Sequence, residues 1–244
     1  MMANVDDIFR FKQFGIEQDQ CTMKVNTDGV MLGAWSDVTD KRRALDIGTG
    51  TGLIALMLAQ RASGMTVDAI EIDHQAALQA QSNFASSPFA LRLSVFPEAL
   101  QDYSNGRHEL YDLIVSNPPF FSGGTFSTNE NKANVRHTVK LSHADLLSAV
   151  KSLLNPISGH FDLILPYIEG LRFIDLAEKY NYHCVSLVEV QSRTNSKIER
   201  LLIRLSLDKT VPRVDGLLII HAEATGIKYS PDYTALTKDF YLFM

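Results

Sequence analysis

Four consecutive residues, Asn117-Pro118-Pro119-Phe120, could hold and activate an aromatic amine. Each proline fixes its own φ and removes a backbone donor, so the turn presents carbonyl oxygens in a fixed geometry. Hydrogen bonds from an amine to the Asn117 side-chain oxygen and the Pro118 carbonyl would draw its nitrogen toward sp³ geometry. The Phe120 ring offers a face on which a target ring can stack. The segment therefore predicts a catalytic loop that acts on an exocyclic amino nitrogen.

A glycine-rich turn precedes this loop in the chain and reads Asp46-Ile47-Gly48-Thr49-Gly50-Thr51-Gly52. Glycine permits a positive φ and lets the backbone approach a ligand closely. The helix that follows offers unpaired N–H groups and a positive dipole end to a carboxylate. Glu71 ends the next apolar run about 20 residues later, the spacing of an acid that binds ribose hydroxyls. The pattern predicts a nucleoside cofactor bound by Asp46, Gly48, Thr49, Gly50, Gly52 and Glu71, and Asn117 of the catalytic loop is also expected at the cofactor.

The identity of that cofactor is open at this point. NAD is the competing interpretation, but the turn has the pattern D-x-G-x-G-x-G instead of G-x-G-x-x-G. Asp46 could orient the glycine turn and pair with a cofactor ammonium, or it could cap the adjacent helix. Asp73 is interpreted as the N-cap of the helix after Glu71, which leaves the ribose role to Glu71.

These residues need a scaffold that brings strand ends together. From Arg43 onward, short apolar runs alternate with amphipathic segments, which predicts parallel βαβ units and an open, doubly wound sheet. Two final strands, His183–Gln191 and Arg200–Leu207, are separated by a polar turn and predict an antiparallel hairpin. We therefore expect an α/β, Rossmann-like fold. Its sheet would be mostly parallel and seven-stranded, with a C-terminal antiparallel hairpin and helices on both faces.

The chain divides into three segments on this interpretation. Residues 43–210 form the catalytic domain, residues 1–42 an extension that contacts the substrate and covers the cofactor, and residues 211–244 a strand and tail that pack on the same domain. A hydrophobic content of 45% suits a sizeable core. The net charge of −5 argues against non-specific coating of nucleic acid but allows a local basic face. The chain has 2 cysteines, no basic and apolar leader and no membrane-spanning run, so a cytoplasmic protein with reduced thiols is expected.

At the glycine turn, the hairpin and the NPPF loop, the chain resembles class I S-adenosylmethionine-dependent methyltransferases with an [ND]PP[YFW] motif. Its N-terminal sequences FRFKQF and MKVNTDGVMLGAW, Arg136-His137 and the closing DFYL are similar to the bacterial tRNA (adenine-N6)-methyltransferase family. The similarity covers nearly the whole chain. Asn26 departs from the pattern, because a glycine is expected before Thr-Asp-Gly.

The resemblance implies S-adenosylmethionine as cofactor and an adenosine next to the anticodon of a valine tRNA as substrate. It implies that Glu98 contacts the cofactor's adenine and that Thr27 lines its methionine end, although Asp28 as a helix cap is an equal interpretation of the latter segment. Cations and aromatic side chains would hold RNA. The expected RNA-binding residues are Lys12, Phe14, Lys24, Arg136 and His137, with Phe14 in the core as the alternative. No metal and no obligate protein partner are expected.

Three other functions remain open. The same NPPF geometry suits protein glutamine N5-methylation, which would call for a separate helical partner-binding domain. Guanine N2-methylation of rRNA usually comes with an added RNA-binding domain. From a different class, the chain could be a cofactor-sensing or RNA-binding module without catalysis, although such a module would not require Asn117.

Overall fold

The computed structural model describes residues 8–21, 23–106, 109–118, 141–223 and 225–243. Its strands are β1 Ile8–Arg10, β2 Gly15–Glu17, β3 Arg43–Ile47, β4 Thr66–Ile70, β5 Leu93–Phe96, β6 Leu113–Ser116, β7 His160–Pro166, β8 His183–Arg193, β9 Ile198–Ser206 and β10 Val214–His221. Its helices are α1 Thr27–Trp35, α2 Leu53–Arg61, α3 His74–Ala85, α4 Leu100–Gly106, α5 His143–Leu153, α6 Tyr167–Lys179 and α7 Pro231–Thr237.

The main sheet has the strand order β10-β8-β9-β7-β6-β3-β4-β5. Strands β3 to β7 are mutually parallel, and β9 is antiparallel to both β7 and β8. This arrangement confirms the predicted fold class and its C-terminal hairpin. The sheet has eight strands where seven were expected, because β10 adds to its edge in parallel with β8.

Helices cover both faces of the sheet. One apolar core contains residues of α1, α2 and α3, whereas the other contains residues of α4, α5 and α6. The two cores share β3, since Ala44 belongs to the first and Leu45 and Ile47 to the second. Successive residues of a strand point to opposite faces of the sheet. Because helices cover both faces, β3 carries apolar residues on each of them.

The parallel strands bring the predicted site residues to one edge. Because parallel strands all point the same way, their carboxyl ends meet at one edge of the sheet, where open α/β sheets bind ligands. Strands β3, β4, β5 and β6 end there, and the residues just after them include Gly48, Glu71, Glu98 and Asn117. The sheet therefore collects, at a single edge, residues that are far apart in the chain.

Polar side chains fix where the helices begin. Asp73 caps α3 by accepting hydrogen bonds from the N–H groups of Gln75 and Ala76, as the sequence predicts. Helix α1 begins at Thr27, and Asn26 is its N-cap, with the side chain accepting from Gly29 N. The cap is therefore Asn26 and not Asp28. The departure of Asn26 from the family pattern thus supplies a hydrogen bond that glycine could not.

The two ends of the chain pack together. Phe11 forms a β-bridge with Tyr241, and their ring centroids lie 5.8 Å apart. Phe14 is 4.8 Å from Phe11 between ring centroids and is only 6% exposed. The aromatic residues near the N-terminus thus form a core with the C-terminal segment. Among the residues described, no helix is long and apolar enough to span a membrane.

A buried ion pair joins β7 to β9. Arg204 donates two hydrogen bonds, each 2.8 Å long, to the two carboxylate oxygens of Asp162. The Asp162 side chain is fully buried, and the Arg204 guanidinium lies 4.7 Å from the centroid of the Trp35 ring. Helix α1 is thereby held against the sheet.

Replacing one partner of this pair should destabilise the fold strongly. Arg204→Met leaves the Asp162 carboxylate buried without its cation, which lowers the free energy of unfolding by about 3–5 kcal/mol. The double variant Asp162→Leu with Arg204→Met should recover most of that loss. Denaturant unfolding measures both, with Arg213→Met, in an exposed pair with Asp215, as a control expected to lose no more than about 1 kcal/mol. A loss for Arg204→Met no larger than that of the control would contradict this account.

Candidate active site

The glycine turn uses left-handed backbone at three positions. Gly48, Gly50 and Gly52 have φ values of 72°, 55° and 84°. A Cβ added at Gly48 or Gly50 would meet no described atom within 4 Å, whereas at Gly52 it would lie 2.5 Å from the Phe84 ring. The first two glycines therefore face open space that a ligand can enter. The third allows α3 to pack directly against the turn.

Asp46 stabilises the glycine turn through hydrogen bonds. Its Oδ2 accepts hydrogen bonds from Thr49 Oγ1 at 2.6 Å and Ala55 N at 3.2 Å, so this oxygen serves both the turn and the first turn of α2. Its Oδ1 is buried, and no described residue donates to it. Burial raises the pKa of the Asp46 carboxyl to about 7, although both hydrogen bonds oppose that rise. One oxygen thus has the capping role, and the other is left for a cationic or N–H partner.

Glu71 also stabilises the glycine turn through hydrogen bonds. Its Oε2 accepts from Gly50 N at 2.9 Å, and its Oε1 accepts from Asp73 N at 2.9 Å. The carboxylate therefore shapes the turn, a role that the sequence did not suggest. The predicted contact with ribose hydroxyls remains a prediction.

Asn83 of α3 is a third side chain that holds the turn, and sequence reasoning missed it. Its Nδ2 donates to Thr51 O at 2.8 Å, and the side chain is 2% exposed. The signal was present, because Gln79 and Asn83 stand at helical spacing on the face of α3 that also carries Ala76 and Ala80. Amides on a buried helix face require partners, and here they find them in backbone groups and in the Asp19 carboxylate.

Asn117 faces a cleft of about 430 Å³. Its side-chain Oδ1 is buried and has no hydrogen-bond partner among the residues described. Thr27, Met31 and Val190 line the same cleft, together with an ion pair of 2.8 Å between Asp28 Oδ2 and Arg200 Nε. Asp28 therefore anchors the start of α1 to β9. Of the other three residues predicted for the catalytic loop, Pro118 is buried next to Asn117. Pro119 and Phe120 lie outside the described residues.

The expected cofactor contact at Glu98 is untested. Glu98 is half-buried between β5 and α4, and its N–H donates to Phe96 O at 3.0 Å. It lies at the same sheet edge as Glu71. Thr27 is exposed and lines the cleft that also contains Asn117. Both roles remain predictions.

The structure describes three of the five expected RNA-binding residues, and these three do not all lie on the surface. Phe14 is buried in the core, so its ring offers no stacking face and the core interpretation holds. Lys12 Nζ donates to Lys238 O at 2.5 Å and thus ties the two ends of the chain together. Lys24 is exposed next to Met23, which lines the cleft. Arg136 and His137 lie outside the described residues. No group of acidic, histidine or cysteine residues in the described part of the chain could hold a metal ion.

Comparison with known proteins defines the class. A family model described as the methyltransferase small domain matches residues 30–141, the stretch from α1 past the NPPF loop. A predicted O-methyltransferase from Agrobacterium tumefaciens superposes with a TM-score of 0.69 over 87% of this chain and 96% of its own, at 18% identity. That similarity shows the fold. The chain is an α/β methyltransferase.

Relatives with curated names narrow this class. The tRNA1(Val) (adenine(37)-N6)-methyltransferase of Aeromonas salmonicida is 43% identical over 97% of this chain and 98% of its own length. The protein of the same name from Parabacteroides distasonis is 43% identical over 100% of both. The chain belongs to the tRNA1(Val) (adenine(37)-N6)-methyltransferase family, which confirms the resemblance found in the sequence.

Alanine substitutions should separate the two kinds of glycine in the turn. Gly52→Ala combines a left-handed φ with a clash against Phe84, so it should lower the free energy of unfolding by more than about 2 kcal/mol. Gly48→Ala meets open space and should lose only about 1 kcal/mol, yet its methyl group would stand where a ligand approaches. Denaturant unfolding and cofactor titration measure the two effects. Equal stability losses for both variants would contradict the assignment.

Proposed function

We propose that this chain transfers a methyl group from S-adenosylmethionine to N6 of an adenosine in tRNA. Its relatives are named for adenine 37 of a valine tRNA, and we extend that substrate to this chain. The observation that carries the proposal is the Asn117 Oδ1, which is buried at the cleft and has no hydrogen-bond partner among the described residues. Such an oxygen is suited to accept a hydrogen bond from an amine. The reaction would take place in the cytoplasm, where tRNA is found.

The residues around the glycine turn fit S-adenosylmethionine. Gly48 and Gly50 leave open space for a ligand against the backbone, and Asp46 Oδ1 has no donor among the described residues. A carboxylate in that state can pair with the ammonium of the methionine part, directly or through a water molecule. Glu71 and Glu98 are our candidates for the ribose and the adenine. When bound, the cofactor supplies an electrophilic methyl group on a positively charged sulfur.

Asn117 would then prepare the nucleophile. The lone pair of an adenine amino group is delocalised into the ring, so the nitrogen is a poor nucleophile. A hydrogen bond from N6 to Asn117 Oδ1, and a second to the Pro118 carbonyl, would favour sp³ geometry and orient the lone pair. The positive charge would pass from the cofactor sulfur to N6 as the methyl group is transferred. The methylated N6 would then be acidic, so water could take the released proton and no strong base is needed.

The cleft has the size and walls for a nucleoside. Its volume of about 430 Å³ lies within the range of small-molecule sites. Met31, Val190 and Ile220 supply apolar surface, and Asp28, Glu199 and Arg200 supply polar groups. An adenosine that has left the base stack of an RNA loop presents both kinds of surface. Lys24, exposed beside the cleft, is our candidate for a phosphate contact, and Arg136 and His137 remain candidates from the resemblance.

Methylation of unmodified tRNA tests the function. Wild-type protein, incubated with labelled S-adenosylmethionine and bulk tRNA that lacks this modification, should yield N6-methyladenosine on nucleoside analysis. Asn117→Ala should lower kcat at least about a hundredfold, while the Kd for S-adenosylmethionine stays within about threefold. Equal loss of cofactor affinity would mean that Asn117 is misplaced. Activity on a release-factor glutamine or an rRNA guanine, without activity on tRNA, would overturn the proposal.

The affinity for S-adenosylmethionine should depend on pH through Asp46. Because the pKa of this carboxyl is raised to about 7, it becomes neutral as the pH falls below that value and no longer attracts the cofactor ammonium. The Kd should therefore rise roughly fivefold to tenfold between about pH 7.5 and about pH 6. Isothermal titration at several pH values measures this change. Asp46→Asn should bind more weakly and show little pH dependence, and the same slope in that variant would assign the effect to another group.

A further inference from the structure

Residues 15–21, which we call the strap, comprise β2 and the start of the segment that leads to α1. The strap is hydrogen-bonded to helix α3. Its Glu17 N donates to Asn83 Oδ1 at 2.9 Å, and Asn83 Nδ2 donates back to Glu17 O at 2.9 Å. Its Gln20 N donates to Gln79 Oε1 at 3.1 Å, and Gln79 Nε2 donates to Asp19 Oδ1 at 2.5 Å. Two amides of one helix thus pair with the strap much as a neighbouring strand would.

Asn83 also reaches the glycine turn. The same Nδ2 that donates to Glu17 O donates to Thr51 O at 2.8 Å. One buried amide group therefore forms three hydrogen bonds, two to the strap and one to the turn. Since an amide nitrogen has two hydrogens, each hydrogen bonds to a different segment, and both segments are fixed relative to one another. Gln79, one helical turn earlier, is hydrogen-bonded to the strap, and it forms no bond to the turn among the described residues.

The strap leads from the cofactor side of the site to the cleft. Its last residue, Cys21, is half-buried, and its thiol pKa is raised to about 11 by burial and by the nearby carboxylates of Glu71 and Asp73. Gln18 Oε1 accepts from Val25 N at 2.8 Å, which closes the loop between the strap and α1. Helix α1 then begins with Thr27 at the cleft that contains Asn117. The chain thus passes beside both ends of the site.

We propose that Asn83 is a positioning residue that couples the strap to the glycine turn, so that tight binding of S-adenosylmethionine depends on the attached strap. The proposal rests on the proposed function in one respect, which is that the turn binds this cofactor. Asn83 acts through Thr51 and Glu17, since its side-chain groups are occupied by those bonds. Gln79 acts on the strap, and its loss should therefore have the smaller effect.

Cofactor affinity without RNA gives the first test. By isothermal titration of the full chain, Asn83→Ala should raise the Kd for S-adenosylmethionine about tenfold or more, and Gln79→Ala about threefold. Gln81→Ala is the matched control, because it removes an exposed amide from the same helix and should leave the Kd unchanged. Leu146→Ala, in the opposite core, is a second control for general loss of stability. Kd values for Gln79→Ala and Asn83→Ala equal to that of Gln81→Ala would overturn the proposal, as would an equal rise in Leu146→Ala.

The reactivity of Cys21 gives a second test that does not depend on cofactor or substrate. In a Cys184→Ser background, a thiol reagent at about pH 8 labels Cys21 in proportion to its thiolate, which is the nucleophile. Release of the strap would remove burial and lower the pKa from about 11 toward the ordinary 9.0, so labelling should accelerate by up to about a hundredfold. Gln79→Ala and Asn83→Ala should both show the acceleration, and Gln81→Ala should not.

The two tests separate the inference from the function. A wild-type chain that fails to bind S-adenosylmethionine would overturn the proposed function, and the labelling rates would still decide whether Asn83 and Gln79 hold the strap. Accelerated labelling in the variants with an unchanged Kd would show a detached strap that the cofactor does not need, and the proposed coupling would be wrong. Should Asn83→Ala fail to fold, Gln79→Ala carries both measurements, since it leaves the bond to Thr51 intact.

Discussion

The site depends on a backbone turn that cannot hold its shape alone. Gly48, Gly50 and Gly52 adopt left-handed φ values, and glycine has more conformational freedom to lose on folding than any other residue. Side chains from three elements limit that freedom. Asp46 at the end of β3, Glu71 after β4 and Asn83 in α3 accept from or donate to Thr49, Gly50 and Thr51 respectively. The turn therefore faces open space at Gly48 and Gly50 and is held by hydrogen bonds from these three side chains.

Two polar atoms at this edge of the sheet are stabilised by nothing that the structure describes. Asn117 Oδ1 and Asp46 Oδ1 are both buried without a donor among the described residues. An unsatisfied buried acceptor costs about 1–3 kcal/mol, and a charged one costs more. The raised pKa of Asp46 has the same origin, because burial without a partner disfavours the charged carboxylate and so favours its protonated form. A fold selected for stability alone would remove both atoms, so their persistence fits a site in which ligand groups satisfy them.

The sequence predicted what depends on local pattern. Alternating apolar and amphipathic runs gave the βαβ order, and the order alone places the residues after β3, β4 and β6 at one edge. Asp73 as a cap followed from its position before a helix. The sequence could not distinguish a buried aromatic from a stacking one. Phe14 was therefore assigned to RNA, with the core as the alternative, because its ring partner Phe89 lies far along the chain. Asn83 was missed for a similar reason, since its partners lie 66 and 32 residues away.

The N-terminal residues that resemble the tRNA-modifying family were expected to bind RNA, but several of them have structural contacts instead. Phe11 and Phe14 belong to the core, Lys12 ties the N-terminal segment to the C-terminal segment, and Asp28 joins α1 to β9 through Arg200. The second half of this signature also contributes to the wall of the cleft, through Met23, Asn26, Thr27, Asp28 and Met31. A wall of defined shape selects a substrate by which base and sugar it admits, whereas phosphate contacts bind any RNA. Specificity for one adenosine is thus consistent with an acidic protein, because the discriminating contacts would lie inside the cleft and few cations would be needed outside it.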